Sequence, residues 1–417
     1  MKKHVLLIAF HFPPQAASSG IQRTLSFSKY LSSYGWNPLV LSAHPRAYSQ
    51  KNSSQISSIP DNIPVSRAFS LDSKRHLGIN GKYPELVALP DRWITWWLGA
   101  VPAGLKLIRK YKPQVIWSTF PIATAHLIAL SLHSITKLPW VADFRDPMIQ
   151  PSYPTSKLQR WMYNWIERQT IFKCEVAILT TRSAMDSYQS RYPTISKDKF
   201  VVIENGYDEE GFTFASRSSK SMTKTVGQLI LVHSGVLYQT GRDPSAFLEA
   251  IANLRNAGDV SPEKLQIIFR APGEVEAVKE LADKFGVADF VQVLPPIPYS
   301  EALHEMLNAD GLLVFQGKPF NNQIPAKIYE YFRTGKPIMG LIDHEGETAR
   351  MLKAEGFQHI VEMTDVKLVA EVLHDFISRI SCADIKVASD KLITSSSRQY
   401  RASELATVLN LVTEKKL

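Results

Sequence analysis

Residues 311–342 constrain the fold of this chain more than any other stretch. An apolar run at 311–315 is predicted to be a strand, and a loop rich in Gly, Pro and Asn follows it. A short helix then begins at Pro325 and ends at Gly335, before a second apolar run. A strand, loop, helix and strand in this order are typical of parallel sheets, whose ligands bind beyond the carboxyl ends of the strands. The sequence therefore predicts an α/β fold with a ligand site at this loop.

The start of the predicted helix carries charges that suit a nucleotide. Lys327 lies in the first turn, and Glu330 lies one turn further on. Free backbone N–H groups and the positive end of the helix dipole favour a diphosphate, and a carboxylate can accept hydrogen bonds from ribose hydroxyls. The alternative is an ordinary capped helix of an α/β protein.

Residues 324–338, I-P-A-K-I-Y-E-Y-F-R-T-G-K-P-I, resemble the donor site of retaining glycosyltransferases of family 4. The usual family pattern has two glutamates separated by seven residues. Here Glu330 occupies the second position and Asn322 the first. The resemblance implies that Asn322, Ile324 and Glu330 bind the donor. It also implies the GT-B fold, with two Rossmann-like parallel-sheet domains facing across a cleft and a C-terminal helix packing back on the first domain.

The length of 417 residues, 45% of them hydrophobic, allows two domains. We predict an acceptor-side domain at 1–210, a nucleotide-sugar-binding domain at 211–390 and a closing helix at 391–417. The segment V-I-E-N-G-Y-D at 202–208 resembles the end of the first domain in family 4. Residues 216–225 are rich in Ser and Lys and are predicted to be a linker.

The first domain is predicted to begin with a Rossmann-like unit that lacks a G-x-G-x-x-G motif. In family 4 a small-residue loop at this place faces the donor phosphates, which implies donor contacts for Ser19 and Gly20. A plain helix start is the alternative. We assign His11 and Arg23 to acceptor binding, with Arg23 as an anion contact.

The segment D-F-R-D-P at 143–147 resembles a sub-branch of family 4 that acts on bacterial surface polysaccharides. In that sub-branch the segment lines the acceptor side, which implies acceptor binding by Asp143 and catalytic roles for Arg145 and Asp146. Many relatives have a His-Asp pair here, and we assign the catalytic role of that histidine to His126, the nearest histidine by motif position. The alternative for Arg145 and Asp146 is an internal ion pair. The alternative for His126 is a structural histidine on a helix, with its hydrogen bonds made within the protein.

The second domain supplies the remaining predicted donor residues. Gly235 follows an apolar strand, and Arg242 precedes a helix predicted at 245–256. Family 4 commonly places an Arg and a Lys on the donor diphosphate, which implies that Arg242 and Lys327 act as catalytic cations. Pro296 lies in a turn that resembles the family's base-binding turn. Because no D-x-D motif occurs where a cation would be needed, we expect no metal and no cofactor.

Positive charge is concentrated in the first half of the chain. Residues 1–210 contain 25 Lys and Arg against 14 Asp and Glu, whereas the remainder contains 23 against 25. All eight tryptophans also lie in the first half. Basic residues mixed with Trp favour an anionic membrane surface or an anionic acceptor. No nucleic-acid-binding motif occurs, so we expect no nucleic-acid partner. Trp161 and Trp165, four residues apart on a predicted helix, are expected to pack against the protein.

The cysteines and the N-terminus bear on localisation. Cys174 and Cys382 have no spacing typical of a zinc or redox site, which favours a reduced, cytoplasmic protein. The apolar run at 5–10 is too short for a signal peptide and is predicted to be a strand. We therefore expect a cytoplasmic protein, peripheral on the inner face of the membrane, with no membrane-crossing segment.

The sequence predicts a retaining, metal-independent glycosyltransferase of cell-surface polysaccharide biosynthesis. It would move a sugar from a nucleotide-sugar donor to a glycan or lipid-linked acceptor. Two alternatives remain open. One is a nucleotide-sugar epimerase on the same fold. The other is a non-catalytic nucleotide-sugar-binding protein, which Asn322 and the missing histidine favour.

Overall fold

The computed structural model describes residues 3–16, 20–78, 84–150, 153–216 and 225–414. They form two compact units. The first unit comprises Met1–Asn205 and Arg398–Leu417, and the second comprises Gly206–Ser397. Ser19 and residues 217–224 of the predicted linker lie outside the described residues.

The first unit contains a sheet of seven strands, and every neighbouring pair is parallel. The spatial order is β3-β2-β1-β4-β5-β6-β7. The strands are β1 (Lys3–Ile8), β2 (Trp36–Ala43), β3 (Val65–Ala68), β4 (Val115–Thr119), β5 (Trp140–Arg145), β6 (Val176–Leu179) and β7 (Phe200–Val202). The strand order reverses between β1 and β4, which is where open α/β sheets bind ligands.

The second unit contains a sheet of six parallel strands in the order β10-β9-β8-β11-β12-β13. The strands are β8 (Leu229–Ser234), β9 (Leu265–Arg270), β10 (Val291–Leu294), β11 (Gly311–Gln316), β12 (Ile338–Ile342) and β13 (Ile360–Val361). Here the order reverses between β8 and β11. The two parallel sheets confirm the predicted α/β architecture.

The α-helices among the described residues connect and cover these strands. They are α1 (Gly20–Tyr30), α2 (Ser73–His76), α3 (Thr95–Tyr111), α4 (Ala123–Thr136), α5 (Lys157–Lys173), α6 (Arg182–Arg191), α7 (Glu209–Ser216), α8 (Ser245–Ala257), α9 (Val275–Lys284), α10 (Tyr299–Asn308), α11 (Lys327–Thr334), α12 (Glu347–Ala354), α13 (Val366–Ser381), α14 (Asp390–Ser395) and α15 (Arg398–Glu414). In the part of the chain that the structure describes, no helix is long and apolar enough to cross a membrane.

The last helix, α15, belongs to the first unit, as predicted for the closing helix. Leu405 and Leu409 are fully buried in the same apolar cluster as Val5 and Leu7 of β1. α15 also lies against α1. Burial of two leucines of this size stabilises the fold by about 3–6 kcal/mol before the cost of ordering them.

The prediction that Trp161 and Trp165 pack against the protein is wrong. The two side chains are 60% and 41% exposed on α5. The opposite face of the helix, with Tyr163, Ile166 and Thr170, is the buried one. Spacing of four residues placed both tryptophans on one helix face, but it did not indicate which face covers the core.

Candidate functional site

The switch point of the second sheet brings the predicted donor residues together. Gly235 directly follows β8, and the loop that holds Asn322 and Ile324 follows β11. The two loops are joined because the Gly317 N–H donates to the Gly241 carbonyl at 2.7 Å. Ligands of open α/β sheets bind at such a place.

The Gln316 side chain holds the loop after β11 in shape. Its Nε2 donates to the carbonyls of Phe320 and Gln323, at 2.6 and 2.8 Å. Its Oε1 accepts a hydrogen bond from Thr348 Oγ1 at 2.7 Å. The buried amide thus closes the loop from inside. Asn322 is left exposed at the loop surface, and Ile324 is turned inward.

Lys327 begins α11 and lies against the end of β8. Its Nζ lies 3.3 Å from Nε2 of His233. Nδ1 of His233 faces the Leu313 carbonyl at 2.9 Å, so Nδ1 carries the hydrogen and Nε2 accepts from Lys327. Gly235 makes room for the ammonium, since a Cβ at that position would lie 2.6 Å from Nζ.

The electrostatics of this corner favour an incoming anion. Burial lowers the pKa of Lys327 to about 7, and the positive charge of Arg242 contributes to this lowering. The negative charge of Glu330 acts in the opposite direction and raises this pKa. Burial also lowers the pKa of His233 well below its ordinary value, so the imidazole is neutral. A bound anion would compensate the repulsion between Lys327 and Arg242.

Arg242 lies in a turn in which it exchanges backbone hydrogen bonds with Tyr238, at 3.2 and 3.0 Å. Its guanidinium lies over the rings of Tyr238 and Phe320, at 5.4 and 5.0 Å from their centroids. Within the described ranges, its buried Nε has no hydrogen-bond partner. The rings therefore hold the guanidinium in place at this turn.

Glu330 lies one turn after Lys327 on α11 and is partly exposed. Tyr299, the first residue of α10, donates its hydroxyl hydrogen to Glu330 Oε1 at 2.7 Å. A carboxylate has about four acceptor positions, so one carboxylate can accept hydrogen bonds from several donors at once. We did not predict a role for Tyr299, although it is the last residue of the segment 291–299 that resembles the base-binding turn.

The turn that contains Pro296 is held by a buried ion pair. Arg270, the last residue of β9, donates from Nη1 to the Pro295 carbonyl at 2.8 Å. Its Nε lies 3.0 Å from Glu305 Oε1, and Nη2 contacts the other carboxylate oxygen. Pro296 itself is exposed. Sequence reasoning missed Arg270 and Glu305.

In the first unit, Gly20, His11 and Arg145 meet at the carboxyl ends of β1 and β5. A Cβ at position 20 would lie 2.7 Å from both Nδ1 of His11 and Nη1 of Arg145. Burial lowers the pKa of His11 to about 3, with the charge of Arg145 as the second cause. His11 is therefore neutral at pH 7.

Arg145 is held in an unusual backbone conformation. Its φ is +61°, and the pairing of β5 with β6 shifts register between Asp143 and Arg145. Thr180 donates to the Arg145 carbonyl from both its N–H and its hydroxyl, at 2.9 Å each. Burial raises the pKa of the adjacent Asp146, while Arg145 and Arg23 oppose that rise. Strained residues of this kind are common at functional sites.

Arg23 and Asp143, predicted to bind the acceptor, bind each other. Arg23 Nε and Nη2 donate to the two carboxylate oxygens at 2.8 and 3.1 Å. Arg23 also donates to the carbonyls of Ile203 and Glu204. Their exposures of 6% and 0% place the pair in the interior, where it joins β5 to the end of the first unit.

His126, predicted to be catalytic, is completely buried. Its Nδ1 lies 2.8 Å from Ser118 Oγ, and its ring lies 4.9 Å from that of Phe144. Burial lowers its pKa to about 3. These surroundings favour a core histidine over a residue that contacts substrate.

A cavity of about 620 Å³ lies in the first unit. Its lining includes His11, Arg92, Trp93, Gln159 and Tyr163. The Arg92 guanidinium lies 4.4 Å from the centroid of the Trp93 ring. Of these residues only His11 was predicted. The segment D-R-W at 91–93 was the sequence feature from which Arg92 and Trp93 could have been predicted to line a site.

Asp91 fixes one wall of this cavity. Its carboxylate accepts hydrogen bonds at 2.9 Å from the N–H and the hydroxyl of Thr124. Burial raises the pKa of Asp91, and these bonds oppose the rise. The residue is 6% exposed, so it holds the start of α4 rather than offering an open carboxylate.

Among the residues that the structure describes, no group of three or more His, Cys, Asp or Glu side chains is arranged to hold a metal ion.

The profile of Glycosyltransferase Family 4 matches residues 22–210 of this chain. The first unit is therefore glycosyltransferase family 4-like. No curated protein matches the chain in sequence.

Solved structures match the whole chain at low identity. Sucrose-phosphate synthase from Thermosynechococcus elongatus matches with a TM-score of 0.69 and 13% identity, over 99% of this chain and 100% of that one. The lipopolysaccharide outer core galactosyltransferase WaaB matches with a TM-score of 0.59 and 10% identity, over 98% of this chain and 99% of that one. A UDP-GlcNAc 2-epimerase from Neisseria meningitidis, bound to UDP-GlcNAc, matches with a TM-score of 0.54 and 10% identity, over 98% of this chain and 99% of that one. These matches establish the GT-B fold.

Proposed function

We propose that the protein is a glycosyltransferase that binds a nucleotide-sugar donor in its second unit. The observation that carries this proposal is the arrangement of Lys327 and Glu330 one turn apart on α11, with Lys327 against Gly235. A cation and a carboxylate at this spacing suit the diphosphate and the ribose of one nucleotide. The match of the first unit to family 4 supports the same proposal.

The leaving diphosphate would be stabilised by positive side chains. Lys327 and Arg242 lie close enough for the charge of one to lower the pKa of the other. Preorganised charges aimed at a leaving group stabilise the transition state by about 2.7–4 kcal/mol per donor. We propose that these two cations and the start of α11 act without a metal ion.

Retention of configuration is part of the proposal and rests on the resemblance of the α11 segment to retaining enzymes. The acceptor would attack the face from which the diphosphate leaves, and a leaving phosphate oxygen would take its proton. This route needs no carboxylate on the opposite face of the sugar. The neutral Asn322 at the first position of the donor motif is compatible with it. The anomeric configuration of the product tests this step.

The cavity of the first unit would bind the acceptor. Trp93 and Tyr163 offer aromatic faces on which sugar rings can stack, and Arg92 offers a cation for an acidic group. We propose a glycan or lipid-linked acceptor of cell-surface polysaccharide biosynthesis. The D-F-R-D-P segment, through its resemblance to enzymes of that kind, supports this assignment.

A panel of nucleotide sugars tests the proposal in two steps. Thermal shift first identifies the donor, because a ligand that binds the folded state stabilises it by mass action. Donor turnover is then measured with and without glycan acceptors, with Lys327→Met as the inactive control. Acceptor-dependent release of the nucleoside diphosphate is the expected result. Conversion of the donor without an acceptor would indicate an epimerase, and binding without conversion would indicate a binding protein. Lack of stabilisation by any nucleotide sugar would overturn the proposal.

A further inference from the structure

Helix α5 carries an exposed apolar stripe on its outer face. The stripe consists of Leu158, Trp161, Trp165 and Phe172, with exposures of 39%, 60%, 41% and 47%. Successive helical residues turn by about 100°, so the intervals of 3, 4 and 7 place all four within an arc of about 60°. Two tryptophans in solvent on one helix face mark an interaction surface.

The charges beside the stripe are positive. Lys157, Arg168 and Lys173 are exposed on the same helix. The Arg168 guanidinium lies 5.7 Å from the centroid of the Phe172 ring, so it borders the stripe directly. The helix contains one acidic residue, Glu167, and this residue is completely buried. The outward charge of α5 is therefore cationic.

Glu167 also fixes the orientation of the stripe. Its carboxylate accepts hydrogen bonds from Tyr188 and Tyr192, at 2.8 Å each, and forms an ion pair with Arg191 at 2.5 Å. These partners lie on or directly after α6. The apolar stripe thus faces outward because the opposite face is held by a buried network. A rigid face of this kind can bind a surface without refolding.

We propose that α5 docks the protein on an anionic lipid surface. Tryptophans settle at the interface between headgroups and acyl chains, and Lys and Arg side chains bind anionic headgroups. The inner face of α5 supplies Gln159 and Tyr163 to the cavity of the first unit, so docking places that cavity beside the bilayer. The docking itself does not depend on the reaction that the protein catalyses.

The test is co-sedimentation of the full chain with vesicles of phosphatidylcholine, with or without phosphatidylglycerol. Binding should require phosphatidylglycerol and should weaken as salt is raised. Trp161→Ser/Trp165→Ser should lower the partition coefficient by about tenfold or more. Lys157→Glu/Arg168→Glu should have an effect of similar size. Phosphatidylglycerol with brominated acyl chains should quench the fluorescence of the parent but not of the double tryptophan variant.

Two matched variants control for general effects. Phe214→Ser/Leu411→Ser removes two apolar side chains that are 68% and 55% exposed elsewhere. Lys264→Glu/Lys391→Glu adds the same negative charge at exposed positions of the second unit. Both should bind vesicles like the parent. Unchanged binding of the double tryptophan variant, or equal binding to neutral vesicles, would overturn the proposal. So would a dimer that sedimentation velocity detects in the parent and that this variant abolishes.

Discussion

Gly235 and Lys327 occupy adjoining space, since a Cβ on residue 235 would lie 2.6 Å from the Lys327 ammonium nitrogen. The glycine has φ of +132°, a conformation that residues with a side chain rarely adopt. The turn after β8 therefore serves both the backbone geometry and the placement of the cation. A side chain at 235 would displace the charge from the proposed diphosphate position.

Gly235→Ala should weaken binding of the nucleoside diphosphate by about 1.5–3 kcal/mol, the contribution of a hydrogen bond to a charged group. Calorimetry measures this loss. Gly258→Ala is the matched control, because Gly258 also has positive φ, +82°, but a Cβ there would contact nothing within 4 Å. The control should lower the free energy of unfolding by about 1–3 kcal/mol through backbone strain and leave affinity unchanged. Equal affinity losses in both variants would contradict the shared-space explanation.

Diphosphate binding should depend on pH through Lys327. In the free protein its pKa is about 7, below the ordinary value of 10.5. An anion favours the charged ammonium, so binding at pH 8 should take up a proton and weaken as pH rises above 7, with a limiting slope of about one decade per pH unit. Calorimetry in buffers of different ionisation enthalpy measures the uptake. Lys327→Met should abolish it, and equal uptake by this variant would assign the proton to another group.

The same pKa predicts the sign of a stability effect in the free protein. Between pH 7 and 10.5 the unfolded chain holds the Lys327 proton and the folded protein does not. The contribution of Lys327 to the free energy of unfolding should therefore rise with pH across this window. Denaturant unfolding of the parent and of Lys327→Met over this range should show a flatter pH dependence for the variant. A steeper dependence in Lys327→Met would contradict the lowered pKa.

The fold was predictable from sequence because its signals are local. Pro325 and Gly335 bound the helix that the structure places at Lys327–Thr334, and Gly335 adopts φ of +65° as expected after a helix end. Apolar runs next to such helices predicted parallel strands, and both sheets contain them. The assignment of Gly235 and Lys327 to one donor site followed from the resemblance to family 4 and from the rule that ligand loops lie at strand ends, whereas their direct approach was not predicted.

The partners of the site residues were not predictable in this way. His233 lies 94 residues from Lys327, and Arg270 lies 35 residues from Glu305. No periodicity links such positions, since only the register of the sheet brings them together. His126 shows the same limit, because its helix was predicted but the packing of its imidazole against Phe144 was not. The roles assigned to the site residues stay predictions.

Glu330 and Asn322 should affect different parts of donor binding. Glu330→Gln removes a charged acceptor of hydrogen bonds from the ribose hydroxyls. It should therefore weaken binding of the nucleoside diphosphate by about 1.5–3 kcal/mol per bond lost. Tyr299→Phe removes only the hydroxyl that donates to Glu330 Oε1 and should have a smaller effect. Asn322→Ala should change sugar choice and turnover more than affinity for the bare diphosphate. Calorimetry with diphosphate and intact donor separates these effects. If Glu330→Gln bound the diphosphate as tightly as the parent, α11 would be better explained as an ordinary capped helix than as a donor site.

The buried pair of Arg270 and Glu305 should determine both the shape of the turn at Pro295 and the free energy of unfolding of the second unit. Arg270→Met leaves the Glu305 carboxylate buried without its partner, which should lower the free energy of unfolding of the second unit by about 3–5 kcal/mol. Arg270→Met/Glu305→Leu removes both charges and should regain most of that stability. The Pro295 carbonyl still loses the hydrogen bond of 2.8 Å, so nucleotide affinity should remain reduced in the double variant.

Denaturant unfolding and calorimetry on both variants separate the two roles of Arg270. The exposed pair of Arg255 and Asp289, with N···O of 3.0 Å and exposures of 42% and 43%, provides the control. Arg255→Met should lower the free energy of unfolding by about 1 kcal/mol or less and leave affinity unchanged. If Arg270→Met/Glu305→Leu bound the nucleotide as tightly as the parent, the turn would keep its shape without Arg270. The base would then be held by the Pro-rich backbone alone.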